Sequence, residues 1–194
     1  MATQSRSEPE TRRLERLWAG GFGDEYLLRN RRAGIGRQAF WDGLLDKYPV
    51  GRVLEVGCNA GANLQWVVRH VDPAETYGID VSERALTVLR RRLPGVNVIR
   101  GAARELPFRD RWFDMAYTSG VLIHQPESTL PLVMSEVVRV ARRFVLAVEY
   151  FSPPFGRGSL LQAWSAMPAA VALKHGRKAV DADAVESRSG RSSA

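Results

Sequence analysis

Two acidic residues flank a glycine turn near the middle of this chain. Glu55 comes just before Gly57 and Gly61, and Asp80 follows the turn by about 20 residues. Glycine lets a backbone turn approach a ligand closely, and at this spacing a carboxylate can accept hydrogen bonds from both hydroxyls of a ribose. Glycine is also common at tight corners that bind nothing, so the turn alone is a weak signal. The pattern indicates a candidate site for a ribose-containing ligand.

The segments around the turn have the apolar spacing of a strand, a helix and a second strand. Val53, Leu54 and Val56 indicate a short buried strand, and the apolar positions from Leu64 to Val71 recur with helical spacing. Residues 75–80 are expected to form a second strand. We therefore predict a strand, a glycine turn, a helix, and a second strand that ends at Asp80.

The turn differs from the dinucleotide fingerprint in two ways. The third glycine, three residues after the second, is absent, and Glu55 places a carboxylate where a pyrophosphate would be repelled. A buried acid is also costly unless it has hydrogen-bond partners. A nicotinamide-dependent oxidoreductase is therefore the weakest enzyme hypothesis.

Strands and helices are predicted to alternate along the chain. Further strands are expected at 97–100, 113–119 and 144–150, and helices at 36–48, 83–93 and 126–139. Such alternation specifies an α/β fold with a doubly wound parallel sheet and right-handed crossovers. Ligands bind these sheets at the carboxyl ends of the strands, where Ser119, Gly120 and His124 follow the fourth strand.

Four motifs in this order resemble the successive motifs of class I, type 11-like methyltransferases that use S-adenosylmethionine. They are the turn at 55–61, Asp80, the segment 101–108 and the segment 112–124, and the resemblance covers roughly residues 36–150. It implies a Rossmann-like fold and S-adenosylmethionine as the cofactor. The cofactor-binding residues that it implies are Glu55, Gly57, Cys58, Asn59, Gly61, Asp80, Ala102, Ala103 and Ser119.

The resemblance assigns each part of the cofactor to a segment of the chain. The turn would surround the methionine portion, Asp80 would hold the ribose, and Ser119 would lie near the sulfonium. The family usually carries an acid or a serine for the adenine amine where this chain has Ala102, so we expect the backbone of Ala102 and Ala103 to bind adenine. Cys58 is expected to be a small packing residue rather than a nucleophile.

Other segments more narrowly resemble the methylases associated with pseudaminic acid biosynthesis. They are 18–26 with Arg29 and Asn30, then 118–124 and 149–153. This resemblance implies a small-molecule acceptor, a sugar acid of the pseudaminic type.

Tyr26 and His124 are the candidate catalytic residues that the resemblance implies. His124 is the best candidate base, although a histidine there could equally serve only to position its loop. Tyr26 belongs to a predicted helix that Asp24 would cap and that ends at Asn30. With an earlier helix at 11–18, this segment could act as a lid or simply pack on the sheet.

Length and composition predict one domain with an apolar core and no membrane span. The chain has 194 residues, of which 45% are apolar, and it has no apolar run of about 18 residues or more. Its start lacks a secretory or lipidation signal, so we expect a cytoplasmic protein. The single cysteine excludes an internal disulfide, and no second histidine or cysteine near His70 in sequence suggests a metal site. The sequence indicates no oligomeric state.

The net charge of +7 raises RNA as an alternative acceptor. Nearly all of the basic residues are arginines, and those at 90–92 and 142–143 end predicted helices, where cations are favourable. We therefore favour a small-molecule acceptor over RNA.

The carboxyl-terminal segment departs from the family pattern. A complete enzyme of this class would continue with a helix and an antiparallel strand pair, but residues 157–194 show no period-2 alternation. We therefore divide the chain into an N-terminal helical lid segment at 1–35, a cofactor-binding core at 36–156 and an atypical, poorly ordered tail at 157–194. A reading frame altered after about Gly156 would explain the tail and would leave the core without its last two, antiparallel strands. An inactive cofactor-binding protein is the alternative function that the tail suggests.

Overall fold

A computed structural model describes residues 9–149 and the backbone of two strands beyond them, at 170–174 and 179–180. The helices of this described part are α1 (Glu10–Ala19), α2 (Gly21–Arg29), α3 (Gln38–Lys47), α4 (Leu64–Val67), α5 (Glu83–Arg92) and α6 (Leu130–Val140). The strands are β1 (Val53–Val56), β2 (Thr76–Asp80), β3 (Asn97–Arg100), β4 (Phe113–Ser119), β5 (Ala141–Glu149), β6 (Ala170–Lys174) and β7 (Ala179–Val180). Short 3₁₀ turns lie at Pro73–Glu75 and Leu122–His124.

The strands form one sheet in the order β3-β2-β1-β4-β5-β6-β7. Neighbouring strands are parallel from β3 to β6, and β7 is antiparallel to β6. The chain winds from β1 to β3 in one direction and from β4 to β5 in the other, so the strand order reverses between β1 and β4. This confirms the predicted doubly wound parallel sheet and leaves a crevice at the carboxyl ends of β1 and β4.

The sheet continues beyond β5, which corrects the expectation that no strand follows it. β6 pairs in parallel with β5, from Ala170 opposite Val145 to Lys174 opposite Glu149, and β7 pairs with β6. The sequence of β6, Ala-Val-Ala-Leu-Lys, is a nearly continuous apolar run, as is typical of strands in parallel sheets. A search for period-2 alternation therefore misses it. The proposed boundary at Gly156 lies outside the described residues.

β1 and β4 form the centre of the core. All four residues of β1 and the first six of β4 are buried. Parallel strands in this position are covered by helices on both faces, which explains why both strands are largely apolar. Large side chains in the apolar cluster on one face are Trp41, Leu64, Leu86, Met115 and Tyr117, and those in the cluster on the other face are Leu54, Ile79, Phe113 and Val137.

The start of α2 corrects the predicted cap at Asp24. The helix begins at Gly21, and Asp24 lies inside it, where it pairs with Arg84 of α5 at 3.0 Å. A Cβ atom at Gly23 would lie 1.8 Å from the carbonyl oxygen of Trp18. Glycine at this position therefore allows α1 and α2 to pack closely.

Two other helices are shorter than predicted. α4 has only four residues, since turns replace the helix at residues 68–70. α6 begins at Leu130 rather than at 126, since residues 127–129 form a turn. No helix in the part of the chain that the structure describes is long and apolar enough to cross a membrane.

Matched charges close the amino ends of the central strands. Buried Asp114 of β4 accepts hydrogen bonds from the backbone N–H groups of Gly51 and Arg52, at 2.8 and 3.1 Å, and from the guanidinium of Arg142. Burial acts to raise the pKa of Asp114, but these donors together hold it below its ordinary value. Arg52 in turn pairs with Glu75. This end of the sheet stabilises the fold.

Candidate functional site

A cleft opens at the carboxyl ends of β1, β2 and β4, beside α1. Its lining includes the glycine turn after β1, Asp80 at the end of β2 and the loop that follows β4. Thr11, Leu14 and Trp18 of α1 also line it. The predicted site residues that the structure brings together here are Tyr26, Gly57, Asn59, Asp80, Ala103, Ser119 and His124.

The turn after β1 requires glycine at two positions. Gly57 and Gly61 have φ angles of 74° and 75°, which side chains rarely adopt. A Cβ atom at Gly57 would lie 2.3 Å from Cγ2 of Val121, and one at Gly61 would lie 2.4 Å from Cδ1 of Leu89. Gly57 therefore keeps the turn narrow beside the cleft, whereas Gly61 lies off the cleft and lets the turn pack against α5.

Asp80 ties the glycine turn to the end of β2. Its Oδ2 accepts the backbone N–H of Asn59 at 2.8 Å, and its Oδ1 accepts that of Ser82 at 2.9 Å. Burial raises the pKa of Asp80, and these hydrogen bonds oppose the rise. A carboxylate oxygen can accept more than one hydrogen bond, so Asp80 can also accept hydrogen bonds from a ligand in the cleft.

Glu55 lies behind the turn and does not line the cleft. Its side chain is buried, Asn63 donates a hydrogen bond to its Oε1 at 2.6 Å, and Arg37 donates one to Asn63 at 2.7 Å. Burial raises the pKa of Glu55 to about 8, and the hydrogen bond from Asn63 offsets only part of this rise. Its Oε2 and the hydroxyl of Tyr117 on the adjacent strand are buried without a hydrogen-bond partner among the described residues. Glu55 is therefore mainly protonated at neutral pH.

Two further predicted cofactor residues lie off the cleft. Cys58 is buried in the apolar core, where burial raises the pKa of its thiol well above the ordinary value, so it is a neutral packing residue. Ala102 faces a neighbouring groove, while Ala103 lines the cleft. The arginines that line the neighbouring groove are Arg12, Arg16, Arg100 and Arg104.

The loop after β4 is held by Glu149, which sequence reasoning did not identify as a site residue. Its two carboxylate oxygens accept the backbone N–H groups of Val121 and Leu122, each at 3.1 Å. Burial raises the pKa of Glu149, and these N–H groups oppose the rise. The carboxylate thus caps the short helical turn that ends at His124. The available signal was an acid at the carboxyl end of β5, the same strand position that Asp80 has in β2.

Three aromatic rings meet on the cleft. The ring centre of Trp18 lies 5.1 Å from that of Tyr26 and 4.7 Å from that of His124, with interplanar angles of 78° and 54°. His124 is half-buried, and burial lowers the pKa of its imidazole. Sequence reasoning placed Trp18 on the apolar face of a helix but did not identify it as a site residue.

Two ion pairs attach α1 to the loop after β3 and α2 to α5, beside the cleft. Glu15 of α1 pairs with Arg104 at 2.7 Å, and Asp24 of α2 pairs with Arg84 at 3.0 Å.

His70 lies away from the cleft, where its Nε2 is 2.8 Å from Oδ1 of Asp42. Among the residues that the structure describes, no group of three or more His, Cys, Asp or Glu side chains could hold a metal ion.

Comparison with known proteins finds similarity in the central part of the chain, which includes the glycine turn and Asp80. Residues 53–143 match the family model of the methyltransferase domain. Over 93 residues the chain is 36% identical to phthiotriol/phenolphthiotriol dimycocerosates methyltransferase 1 of Mycobacterium ulcerans, a match that covers 47% of this chain and 34% of that protein. Over 96 residues it is 34% identical to the fatty-acid O-methyltransferase of Mycolicibacterium smegmatis, covering 47% of this chain and 33% of that protein. The chain thus spans about a third of the length of these curated relatives.

The fold is also similar to that of a solved methyltransferase. CalS10, an amino pentose methyltransferase from Micromonospora echinaspora involved in calicheamicin biosynthesis, was solved with bound S-adenosylmethionine. The superposition has a TM-score of 0.55 at 19% identity and covers 66% of this chain and 57% of that chain. At this identity the likeness concerns the fold alone.

The cleft fits the cofactor of this fold. Gly57 and Asn59 of the turn line the cleft, and Asp80 can accept hydrogen bonds from ribose hydroxyls. None of the described lining residues is a lysine or an arginine that could hold a pyrophosphate. S-adenosylmethionine has no pyrophosphate and needs no such residue. Residues 53–143 therefore match a methyltransferase domain and have the Rossmann-like fold of class I enzymes, a fold that holds S-adenosylmethionine in CalS10.

Proposed function

We propose that this protein transfers a methyl group from S-adenosylmethionine to a small-molecule acceptor held in the cleft. The observation that carries the proposal is that one cleft joins two groups of residues. The first is the turn of the methyltransferase domain with Asp80, and the second is the ring cluster formed by Trp18, Tyr26 and His124. The first group suits the cofactor, which leaves the ring cluster for the acceptor.

The predicted cofactor residues have two roles in this proposal. Asp80 accepts the ribose hydroxyls, the backbone of Ala103 binds adenine, and Ser119 lies beside the sulfonium. Gly57 and Asn59 surround the methionine portion. The residues that shape the turn or the adjoining loop from behind are Glu55, Cys58, Gly61 and Ala102.

His124 and Tyr26 act on the acceptor. The cofactor supplies a methyl carbon activated by a sulfonium, so the protein has to align the acceptor with that carbon and remove a proton from it. Because burial lowers the pKa of His124, its imidazole is neutral at neutral pH and can take this proton. Tyr26 lies in the same ring cluster and orients the acceptor.

The acceptor is chosen by elements outside the matched domain. α1 and α2, which carry Trp18 and Tyr26, precede the matched range 53–143. The relatives, one named for phthiotriol/phenolphthiotriol dimycocerosates and one for fatty acids, match about 47% of this chain. Their names therefore inform on the cofactor half more than on the acceptor. A sugar acid of the pseudaminic type is the acceptor class that the narrower sequence resemblance supports.

Calorimetric titration with S-adenosylhomocysteine tests the cofactor half of the proposal. We expect micromolar binding by the unaltered protein and at least about ten-fold weaker binding by Asp80→Asn, because one carboxylate oxygen becomes a donor. Asp110→Asn is the matched control, since Asp110 is 73% exposed and does not line the cleft. A folded protein that binds no S-adenosylhomocysteine would contradict the proposed function.

A further inference from the structure

The charges that line the cleft differ sharply from those of the whole chain. The chain carries 28 lysines and arginines and a net charge of +7. None of the described residues that line the cleft is a lysine or an arginine, and the charged side chains that do line it are Glu15 and Asp80. Glu15 is paired with Arg104, but Asp80 is bound only to backbone N–H groups. At the ring cluster, the described lining therefore offers no cationic side chain to pair with an anionic acceptor.

The ring cluster adds a second feature that favours cations. Trp18 contacts both Tyr26 and His124, and the neighbouring planes are inclined by 78° and 54°. The negative faces of aromatic rings attract cations, and several inclined rings around one space form the aromatic cages that hold methylated nitrogen. His124 can contribute as a neutral ring because burial lowers its pKa.

We propose that the methyl acceptor is an amine and that Trp18, Tyr26 and His124 hold its nitrogen. This inference rests on the proposed function and names the chemical class of its acceptor. His124, as a neutral imidazole, first takes one proton from the bound ammonium, which frees the nitrogen lone pair. The lone pair forms the new N–CH₃ bond while the bond between that carbon and sulfur breaks, so the positive charge passes from sulfur to nitrogen. His124 then returns its proton to water. The rings stabilise the charge on nitrogen as it forms.

A carboxylate acceptor does not fit this arrangement. Its negative charge would lie beside Asp80 and would find no cationic side chain among the described lining residues. The nearest group of arginines lines the neighbouring groove, which Arg12 and Arg100 border. A sugar acid would therefore present an amino group to the rings and direct its carboxylate away from the cleft.

Two isosteric probes that differ in charge test the proposal. Choline carries a trimethylammonium group, and 3,3-dimethylbutan-1-ol carries a neutral tert-butyl group of the same shape. Each is titrated calorimetrically into the full chain saturated with S-adenosylhomocysteine, whose sulfur is neutral. We expect choline to bind about five-fold or more tightly than the alcohol, because desolvated rings contribute this much to cation binding.

Substitution of Trp18 tests whether the aromatic rings cause the preference for choline over the alcohol. In Trp18→Leu the preference for choline should fall to about two-fold or less, with unchanged affinity for S-adenosylhomocysteine. Trp112→Leu is the matched control, because Trp112 lies outside the cleft among Phe108, Phe113 and their neighbours. Equal binding of the two probes, no binding of choline, or a preference that persists in Trp18→Leu would overturn the amine inference while leaving the proposed function intact. Failure of the folded chain to bind S-adenosylhomocysteine would overturn both.

Discussion

Buried acids have opposite electrostatic environments at the two ends of the central strands. At the amino end, Asp114 is matched by Arg142 and by two backbone N–H groups, and its pKa lies below the ordinary value. At the carboxyl end, Asp80 and Glu149 accept backbone N–H groups, Glu55 accepts an amide, and burial raises the pKa of all three. None of these three acids forms an ion pair with a described residue.

This difference separates stability from function. A matched carboxylate such as Asp114 stabilises the folded state, whereas the unmatched acids at the carboxyl end cost stability. One of them, Asp80, lines the cleft and keeps hydrogen-bonding capacity for a ligand, and perturbed pKa values are concentrated at functional sites. Substitution of cleft residues at the carboxyl end should therefore change binding and catalysis, and substitution of Asp114 at the amino end should change stability.

The largest effect is expected from His124→Gln. Removing the proton acceptor should slow methyl transfer about 100-fold or more, while affinity for S-adenosylhomocysteine stays within about two-fold. In the unaltered protein the rate should fall on the acid side with an apparent pKa below 6.5, because burial lowers the pKa of His124. Release of S-adenosylhomocysteine, measured over pH with a panel of small amines, checks both. An unchanged rate in the variant would assign His124 to loop positioning alone.

At the amino end, Asp114→Asn should destabilise the fold by about 2–3 kcal/mol. The variant leaves Arg142 without its acid and weakens the hydrogen bonds to Gly51 and Arg52. Since the pKa of Asp114 is lowered in the folded state, its contribution is present above the ordinary pKa of an aspartate and is lost as the pH falls through the folded value. Urea unfolding at neutral pH measures the loss, with exposed Asp110→Asn as the control. A variant as stable as the control would remove the stabilising role of this end.

For Glu55→Gln we expect a gain in the free energy of unfolding rather than a loss. Between the ordinary pKa of a glutamate and its folded value of about 8, folded Glu55 holds a proton that the unfolded chain has lost, so the unaltered protein loses stability as the pH rises. Glutamine has no proton to lose. The variant should match the unaltered protein near pH 5 and exceed its free energy of unfolding by about 3–4 kcal/mol near pH 8.

Urea unfolding at both pH values tests this change, with exposed Glu105→Gln as the control, since Glu105 is 83% exposed. A variant that loses stability at pH 8 would show that Glu55 is ionised in the folded state and needs its charge.

The smallest effect is expected from Glu149→Gln. The amide keeps one acceptor for the N–H groups of Val121 and Leu122 and directs a donor at the other. Amide hydrogen exchange at these two residues should become about ten-fold faster, and exchange in β1 should not change. Unchanged exchange at Val121 and Leu122 would show that the loop does not depend on the carboxylate.

The sequence predicted the parts of the molecule that local pattern determines. Short, largely apolar segments identified β1 and β4, positive φ angles explain Gly57 and Gly61, and the spacing of Asp80 after the turn placed its carboxylate on the cleft. Each of these features depends on a short segment and the period of its side chains.

The parts that the sequence missed depend on contacts between distant segments. Glu149 reaches the loop at Val121 only because β5 lies beside β4, and Trp18 reaches His124 only because α1 packs beside that loop. β6 was missed because its continuous apolar run lacks alternation. Neither the contact of Glu149 with Val121 nor that of Trp18 with His124 has a signal in the local spacing of the residues.

The most direct test of the contrast between the two ends measures two properties of two variants. Binding of S-adenosylhomocysteine and free energy of unfolding are measured for Asp80→Asn and Asp114→Asn under one set of conditions. We predict that Asp80→Asn loses at least about ten-fold in affinity with little loss of stability, and that Asp114→Asn loses about 2–3 kcal/mol of stability with unchanged affinity. Equal losses of affinity in the two variants, or unchanged affinity in Asp80→Asn, would contradict the assignment of the carboxyl end to cofactor binding.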